Sequence, residues 1–257
     1  MFEDLKGKVV LLTGASMGLG RQQAIYFYKL GMKVSICARR EEKLLEVVEL
    51  CKETGADGEI MEVPCDISNY DQLKNYVDKT VERFGTIDFL VNNANKEALL
   101  MPLDEQPDDI LKKDIFVGCM AHWRLMKLCV PYMKGKKASI INYASGNYQL
   151  GMDGMASYDA DKGAIRGLAM VAARELGQYG IRVNTVGPAA VTDTVLNNTP
   201  PEYRDWVIRC SSCNSLRRVG LPETDIPPVV AWLMSETSGW VSGQNINIDG
   251  GSCIYGM

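Results

Sequence analysis

Tyr158 and Lys162 stand four residues apart, and Ser145 precedes Tyr158 by thirteen. On a helix, side chains at i and i+4 share a face. A free tyrosine titrates near pH 10, and an adjacent ammonium favours the phenolate and lowers that value. Tyr158 beside Lys162 is therefore suited to give and take a proton near neutral pH. Ser145 follows an apolar stretch, and its hydroxyl could bond the same substrate oxygen. Alone, a Y-x-x-x-K pair also fits an ordinary surface helix. Chemistry on a carbonyl or carbinol oxygen is favoured by the order in which a glycine loop, Ser145 and the pair occur.

That loop is Thr13-Gly14-Ala15-Ser16-Met17-Gly18-Leu19-Gly20. Gly14, Gly18 and Gly20 permit tight turning and close backbone approach to a phosphate. A helix opening there would add free N–H groups and a positive dipole end. A plain glycine-rich turn is the alternative, disfavoured by the placement between an apolar strand and a helix. The second strand ends at Ala38, where an NAD site usually carries an acid for the ribose hydroxyls. Arg39 and Arg40 follow, and a guanidinium suits a 2′-phosphate by charge and fork geometry. NADP(H) is expected over NAD(H). Cys210-Ser211-Ser212-Cys213 is a C-x-x-C, but the only histidine, His122, is remote in sequence, so no metal is expected. His122 itself reads as a packed or bonded side chain rather than a base.

The positions of these groups depend on a strand–helix alternation. Strands are expected at Val9–Leu12, Val34–Cys37, Glu59–Val63, Ile87–Val91, Ser139–Tyr143, Ile181–Val186 and Asn245–Ile248. Helices are expected from the glycine loop to Leu30, at Glu41–Cys51, Asp71–Phe84, about Pro107–Met133 and Ser157–Tyr179, with Gly31 closing the first. Apolar strands alternating with helices imply a parallel sheet covered on both faces. No linker divides residues 1–257. The expected fold is one α/β domain, a doubly wound Rossmann sheet whose ligands sit beyond the strand carboxyl ends. Residues 189–216 lack a clear period and are expected to form a substrate lid.

Composition excludes other classes. The chain has 257 residues, 46% hydrophobic and 23% charged, with net charge -4. It offers no basic field for nucleic acid and no polybasic membrane patch. No apolar run of about 18 residues is present, so no spanning helix is expected. Met1 to Lys6 lacks the apolar core of a signal peptide. Eight cysteines without regular pairing suggest reduced thiols and a cytoplasmic location.

Together these pieces resemble the short-chain dehydrogenase/reductase family over nearly the whole chain. The matching elements are Thr13–Gly20, Asp66, Asn92-Asn93-Ala94, Ser145, Tyr158, Lys162, Gly187-Pro188, Arg218-Val219-Gly220 and Asp249-Gly250-Gly251. The resemblance implies hydride transfer between a nicotinamide and a carbinol carbon, with Ser145, Tyr158 and Lys162 catalytic. It places Asp66 and Ile67 at the adenine, Asn93, Ala94 and Pro188 along the cofactor, and Val191 with Thr192 at the nicotinamide amide. Asn92 would support the central strand, and Lys162 would also grip the nicotinamide ribose. Three positions depart from the family pattern: Asn95 and Ala189 replace glycines, and Gly118 falls where the family carries a fourth catalytic asparagine. With Arg218–Ile226, these departures are most similar to bacterial bile-acid hydroxysteroid dehydrogenases of the 12α type.

The expected substrate is therefore a small molecule, a bulky secondary alcohol or ketone such as a hydroxysteroid. Tyr148, Leu150, Met152 and Met155 lie between Ser145 and Tyr158, and Tyr203, Leu196 and Trp206 lie in the lid segment. Methionines adapt to bulky apolar ligands, although these positions also fit ordinary packing. Asn95, Tyr148, Met152, Met155 and Trp206 are the candidate substrate contacts. A 3-oxoacyl thioester or other carbonyl substrate is the alternative, as is an NADP(H) sensor without catalysis. By resemblance, helices after the fourth and fifth strands would form a homodimer or homotetramer, and the apolar stretch Trp240–Met257 would not be a free tail.

Overall fold

The computed structural model describes residues 2–95 and 100–254. Its sheet has seven strands, all parallel: Val9–Thr13 (β1), Lys33–Ala38 (β2), Glu59–Pro64 (β3), Phe89–Asn92 (β4), Ala138–Tyr143 (β5), Ile181–Pro188 (β6) and Asn245–Ile248 (β7). The spatial order is β3-β2-β1-β4-β5-β6-β7. Strand order reverses between β1 and β4, which pair from Val10–Phe89 to Leu12–Val91. A crevice beyond the carboxyl ends opens at such a reversal. The expected single doubly wound domain is the observed one.

Helices Gly18–Lys29 (α1), Glu41–Glu53 (α2) and Tyr70–Phe84 (α3) follow the first three strands. Asp108–Val117 (α4) and Cys119–Met133 (α5) precede β5; Asn147–Leu150 (α6) and Ala156–Leu176 (α7) follow it. Asp193–Asn198 (α8), Arg204–Ser211 (α9) and Pro227–Met234 (α10) lie between β6 and β7. The alternation of β1 builds both cores. Val10 and Leu12 pack with Phe27 of α1 and Val230 of α10, whereas Leu11 packs with Leu73 and Tyr76 of α3 and Leu125 of α5. Each fully buried side chain of this kind contributes about 1.5–3 kcal/mol.

Two expectations change. The helix expected over Pro107–Met133 is two helices broken at Gly118, whose φ of -85° and ψ of -92° are not helical. The segment 189–216 is not without structure but carries α8 and α9. Thr192 caps α8, its hydroxyl accepting the Val195 N–H at 3.2 Å. No helix among the described residues is long and apolar enough to cross a membrane. Of the apolar C-terminal stretch, residues 255–257 lie outside the described residues.

Candidate active site

The glycine loop, Asp66, Asn92-Asn93-Ala94, Ser145, Gly187-Pro188 and Asp249-Gly250-Gly251 fall at the carboxyl ends of the strands. β1 delivers Thr13, whose hydroxyl oxygen accepts the N–H groups of Asn93 at 3.1 Å and Ala94 at 3.0 Å. Asn93 returns its amide N–H to the carbonyls of Thr13 (2.8 Å) and Gly14 (3.2 Å). The β4 end thereby fixes the glycine loop. One strand further on, buried Asn92 donates to Asn142 of β5 at 2.8 Å, tying the two central strands.

The loop itself requires glycine. Gly14 has φ +70°, and a Cβ there would meet the Ala94 Cα at 2.7 Å. A Cβ at Gly20 would stand 2.2 Å from the Gly14 carbonyl oxygen. Met17 precedes α1 in extended conformation and supplies no side-chain cap, so the first-turn N–H groups need other partners. The Gly18 N–H finds one in Asp193, whose Oδ1 accepts it at 3.0 Å while Oδ2 pairs with Arg21 at 2.9 Å. The glycine turn, the other first-turn N–H groups and the helix dipole suit the diphosphate of a dinucleotide. Ser16 and Leu19 lie in the same turn. Arg39 and Arg40 are exposed past β2, and the Arg40 guanidinium reaches the Met17 sulfur at 3.4 Å. Asp66 follows β3, its Oδ1 accepting from the Ser68 N–H and hydroxyl, and Ile67 beside it is buried. Pro188, Val191 and Thr192 extend from β6 toward α8.

Ser145 is buried just past β5, where its oxygen accepts the Asn147 N–H at 3.1 Å. Tyr158 and Lys162 come from the first turns of α7, as the i,i+4 spacing requires. Lys162 is 2% exposed, and its ammonium donates to the Tyr143 carbonyl at 2.8 Å. The ammonium lies 5.4 Å from the Tyr158 ring centroid. Burial pulls Lys162 down to about 8, against the opposing charge of Asp161.

The expectation for Tyr158 is corrected here. Burial pushes its hydroxyl up to about 12; Ser145 opposes this, and Asp161 and Asp159 add to it. Desolvation of the phenolate dominates, and the Lys162 ammonium is turned to the Tyr143 carbonyl. The resting group is therefore a neutral phenol poised to donate a proton. His122 is buried and held neutral, its value driven down to about 3 by burial and by Lys162. That state agrees with a packed histidine.

The expected substrate contacts divide. Tyr148 on α6 packs toward α7, its Cδ2 4.0 Å from where a Cβ on Gly163 would stand. The Asn147 amide reaches the Met155 sulfur at 3.2 Å, and Met155 leads directly into α7. Met152 is exposed, and Trp206 on α9 is more than half exposed. Asn95 lies near Asp161, Nδ2 to Oδ2 at 3.5 Å. The sequence reading missed several positioning groups. Gln106 donates to the carbonyls of Met101 and Gly154 and accepts the Ser157 N–H, pinning the approach to α7. Asp193 and Asp161 were also missed, although Asp161, at i+3 from Tyr158, shares its helix face by spacing alone.

Comparison with known proteins finds relatives over nearly the whole chain. A family model described as enoyl-(acyl carrier protein) reductase matches residues 14–253. A 12alpha-hydroxysteroid dehydrogenase from Clostridium sp. is 34% identical over 251 residues, covering 95% of this chain and 96% of that one. A 3-oxoacyl-(acyl-carrier-protein) reductase from Thermotoga maritima is 33% identical over 253 residues, covering 97% and 99%. The crystal structure of a levodione reductase superimposes with TM-score 0.90 at 30% identity, covering 96% and 97%. An NAD+-bound xylitol dehydrogenase gives 0.86 at 28%, covering 96% and 99%. Fold and likeness together define an oxidoreductase of alcohol and ketone groups that works with a nicotinamide cofactor. Within that class, the chain belongs to the short-chain dehydrogenase/reductase family.

Proposed function

We propose that this enzyme interconverts a bulky, rigid secondary alcohol and its ketone, a hydroxysteroid or bile acid, using NADP(H). The carrying observation is the convergence of Ser145, Tyr158 and Lys162 at one strand edge beside α6 and Met155. The Ser145 hydroxyl holds the substrate oxygen. Tyr158, a neutral phenol, donates the proton that the reduced oxygen takes up. The Lys162 ammonium then faces the phenolate that remains and stabilises it. When bound, the nicotinamide supplies or accepts the hydride. Gly14, Ser16, Met17, Gly18, Leu19 and Gly20 would cradle its diphosphate. Asp66 and Ile67 would border the adenine, and Asn93, Ala94, Pro188, Val191 and Thr192 would line the nicotinamide half. Arg39 and Arg40, exposed where Ala38 offers no acid, support the 2′-phosphate.

A fused-ring substrate is suggested by the apolar groups near Tyr158 in sequence. Tyr148, Met152 and Met155 precede it closely in the chain, and residues 189–216, with Trp206, would form the lid. A rigid ligand gains about 25 cal/mol per Å² of apolar area buried and avoids the ordering cost of a flexible chain. The 12alpha-hydroxysteroid dehydrogenase relative supports the same class. A 3-oxoacyl thioester is the second reading, favoured by the reductase relatives and by exposed Arg209 and Arg217 on the lid side. Arg218 contributes little there, since both its terminal nitrogens bind Asp225, at 2.5 and 2.9 Å. The retained proton donor speaks against a pure sensor. The subunits associate as a homodimer or homotetramer.

The test is kcat/KM for hydroxylated bile acids against acetoacetyl thioesters and simple cyclic ketones. The expected result is at least one steroid about tenfold above the simple ketones, a difference of about 1.4 kcal/mol in transition-state binding. If none reaches that margin, the steroid assignment falls and a general carbonyl reductase remains.

A further inference from the structure

The helix break at Gly118 and the carboxylate of Asp161 form one feature. Asp161 is 1% exposed, and its Oδ1 accepts the N–H of Cys119, the first residue past the break, at 2.7 Å. A Cβ built on Gly118 would lie 2.0 Å from Asp161 Oδ2, 2.2 Å from Oδ1 and 2.4 Å from Cγ. At φ -85° the backbone does not demand glycine; the space does. A side chain at 118 and this seat for Asp161 exclude each other. Asp161 is on α7 at i+3 from Tyr158 and directly precedes Lys162, so the seat lies beside the helix turns that carry the reactive pair.

We propose that Asp161 is a positioning residue of the reaction: its carboxylate, seated in the notch left by Gly118, is the counter-charge that keeps the buried Lys162 ammonium protonated beside Tyr158. The proposal rests on the reading of Tyr158 and Lys162 as the reactive pair. A buried ammonium whose hydrogen-bond partner is a neutral carbonyl loses its proton easily unless a negative charge is near. Asp161 is the charge that opposes this loss at Lys162. The groups around the carboxylate keep it anionic or compete with it. Burial raises its pKa above the ordinary carboxylate value, against Lys162, the Cys119 N–H and Asn95, which favour its charge, and Asp114 of α4 adds to the rise. Asp114 is itself bonded to the Ser157 hydroxyl at 2.7 Å. From α5, neutral His122 faces Lys162 and adds no charge. Asp161 also holds the Tyr158 hydroxyl up. Removing its charge should therefore move both titrations in one direction, to lower pH.

The experiment is the pH profile of ketone reduction by Asp161→Asn, which keeps size and the Cys119 bond. NADPH is paired with whichever of an oxo bile acid, acetoacetyl thioester or cyclohexanone the wild type reduces fastest. The expected result is an alkaline limb of kcat displaced by about half a unit or more to lower pH, with the KM for the ketone and the thermal midpoint little changed. An unmoved limb overturns the proposal. So does a limb that moves only with a collapse of the thermal midpoint. The second arm is reciprocal. Gly118→Asn should displace the same limb, because its side chain takes the seat from the carboxylate, and adding Asp161→Ala to it should displace the limb no further, as coupled neighbours do. A limb that returns to the wild-type position in the double variant, which lacks the carboxylate, overturns the proposal. Tyr158→Phe, run in parallel, separates the two failures: if it abolishes turnover while Asp161→Asn leaves the profile intact, only this inference fails.

Discussion

At the residue scale, the site divides into groups whose type announces their chemistry and groups whose position creates it. Tyr158, Lys162 and Ser145 are of the first kind. Their i,i+4 and strand-end spacing was readable before any coordinates, and the structure places all three together. The ionisation of Tyr158 was not readable. It depends on how far the phenol is desolvated and on where Lys162 directs its ammonium, and both are set by packing from other elements. Arg39 belongs to the same scale. Its exposure past β2, next to Ala38 rather than an acid, makes cofactor choice a local electrostatic matter. Changing Ala38 to Asp together with Arg39 to Gln should shift kcat/KM from NADP(H) toward NAD(H) by about tenfold or more, since a lost charge-assisted contact is worth roughly 1.5–3 kcal/mol. A wild type that works equally well or better with NAD(H) would refute that reading of the β2 terminus.

At the scale of elements, the seven strands were legible from apolar runs, with ends shifted by a residue or two. The failures have physical causes. Nothing in the periodicity of 107–133 marks Gly118 as a break, because apolar residues continue on both sides and the carboxylate that takes the Cys119 N–H at the break belongs to α7, far along the chain. In 189–216, α8 and α9 are short and only partly buried, so they leave little hydrophobic period. Their anchor is polar. Asp193 holds the Gly18 N–H and Arg21, docking the start of α8 on the amino end of α1. Asp193→Ala should loosen this docking by about 1 kcal/mol, the value of a typical partly buried hydrogen bond with its ion pair. Limited proteolysis between residues 189 and 216 should then run several-fold faster than in the wild type, consistent with opening set by local stability. Equal cleavage rates would show that this segment is held elsewhere.

At the scale of the whole molecule, the parallel sheet gathers residues from six strand ends into one edge, and the outer helices carry what remains exposed. Leu111, Phe116, Met120 and Trp123 of α4 and α5, with Met170 and Val171 of α7, are large apolar groups left 37–54% exposed. Contiguous apolar groups of this size mark protein–protein surfaces, and these lie on the helices after β4 and β5 that the proposed self-association requires. Light scattering at micromolar concentration should return a dimer or tetramer of the 28.4 kDa chain. Trp123→Lys should lower that mass, and a monomeric wild type would remove the proposal. The proposed reaction turns on one step, in which Tyr158 hands its proton to a ketone oxygen at the edge built by β5 and α7. The direct measurement is kcat for Tyr158→Phe beside the binding of NADPH to the same variant. The account predicts a loss of about 10²–10⁴ in kcat with NADPH affinity retained; near-normal turnover by the phenylalanine enzyme would contradict it.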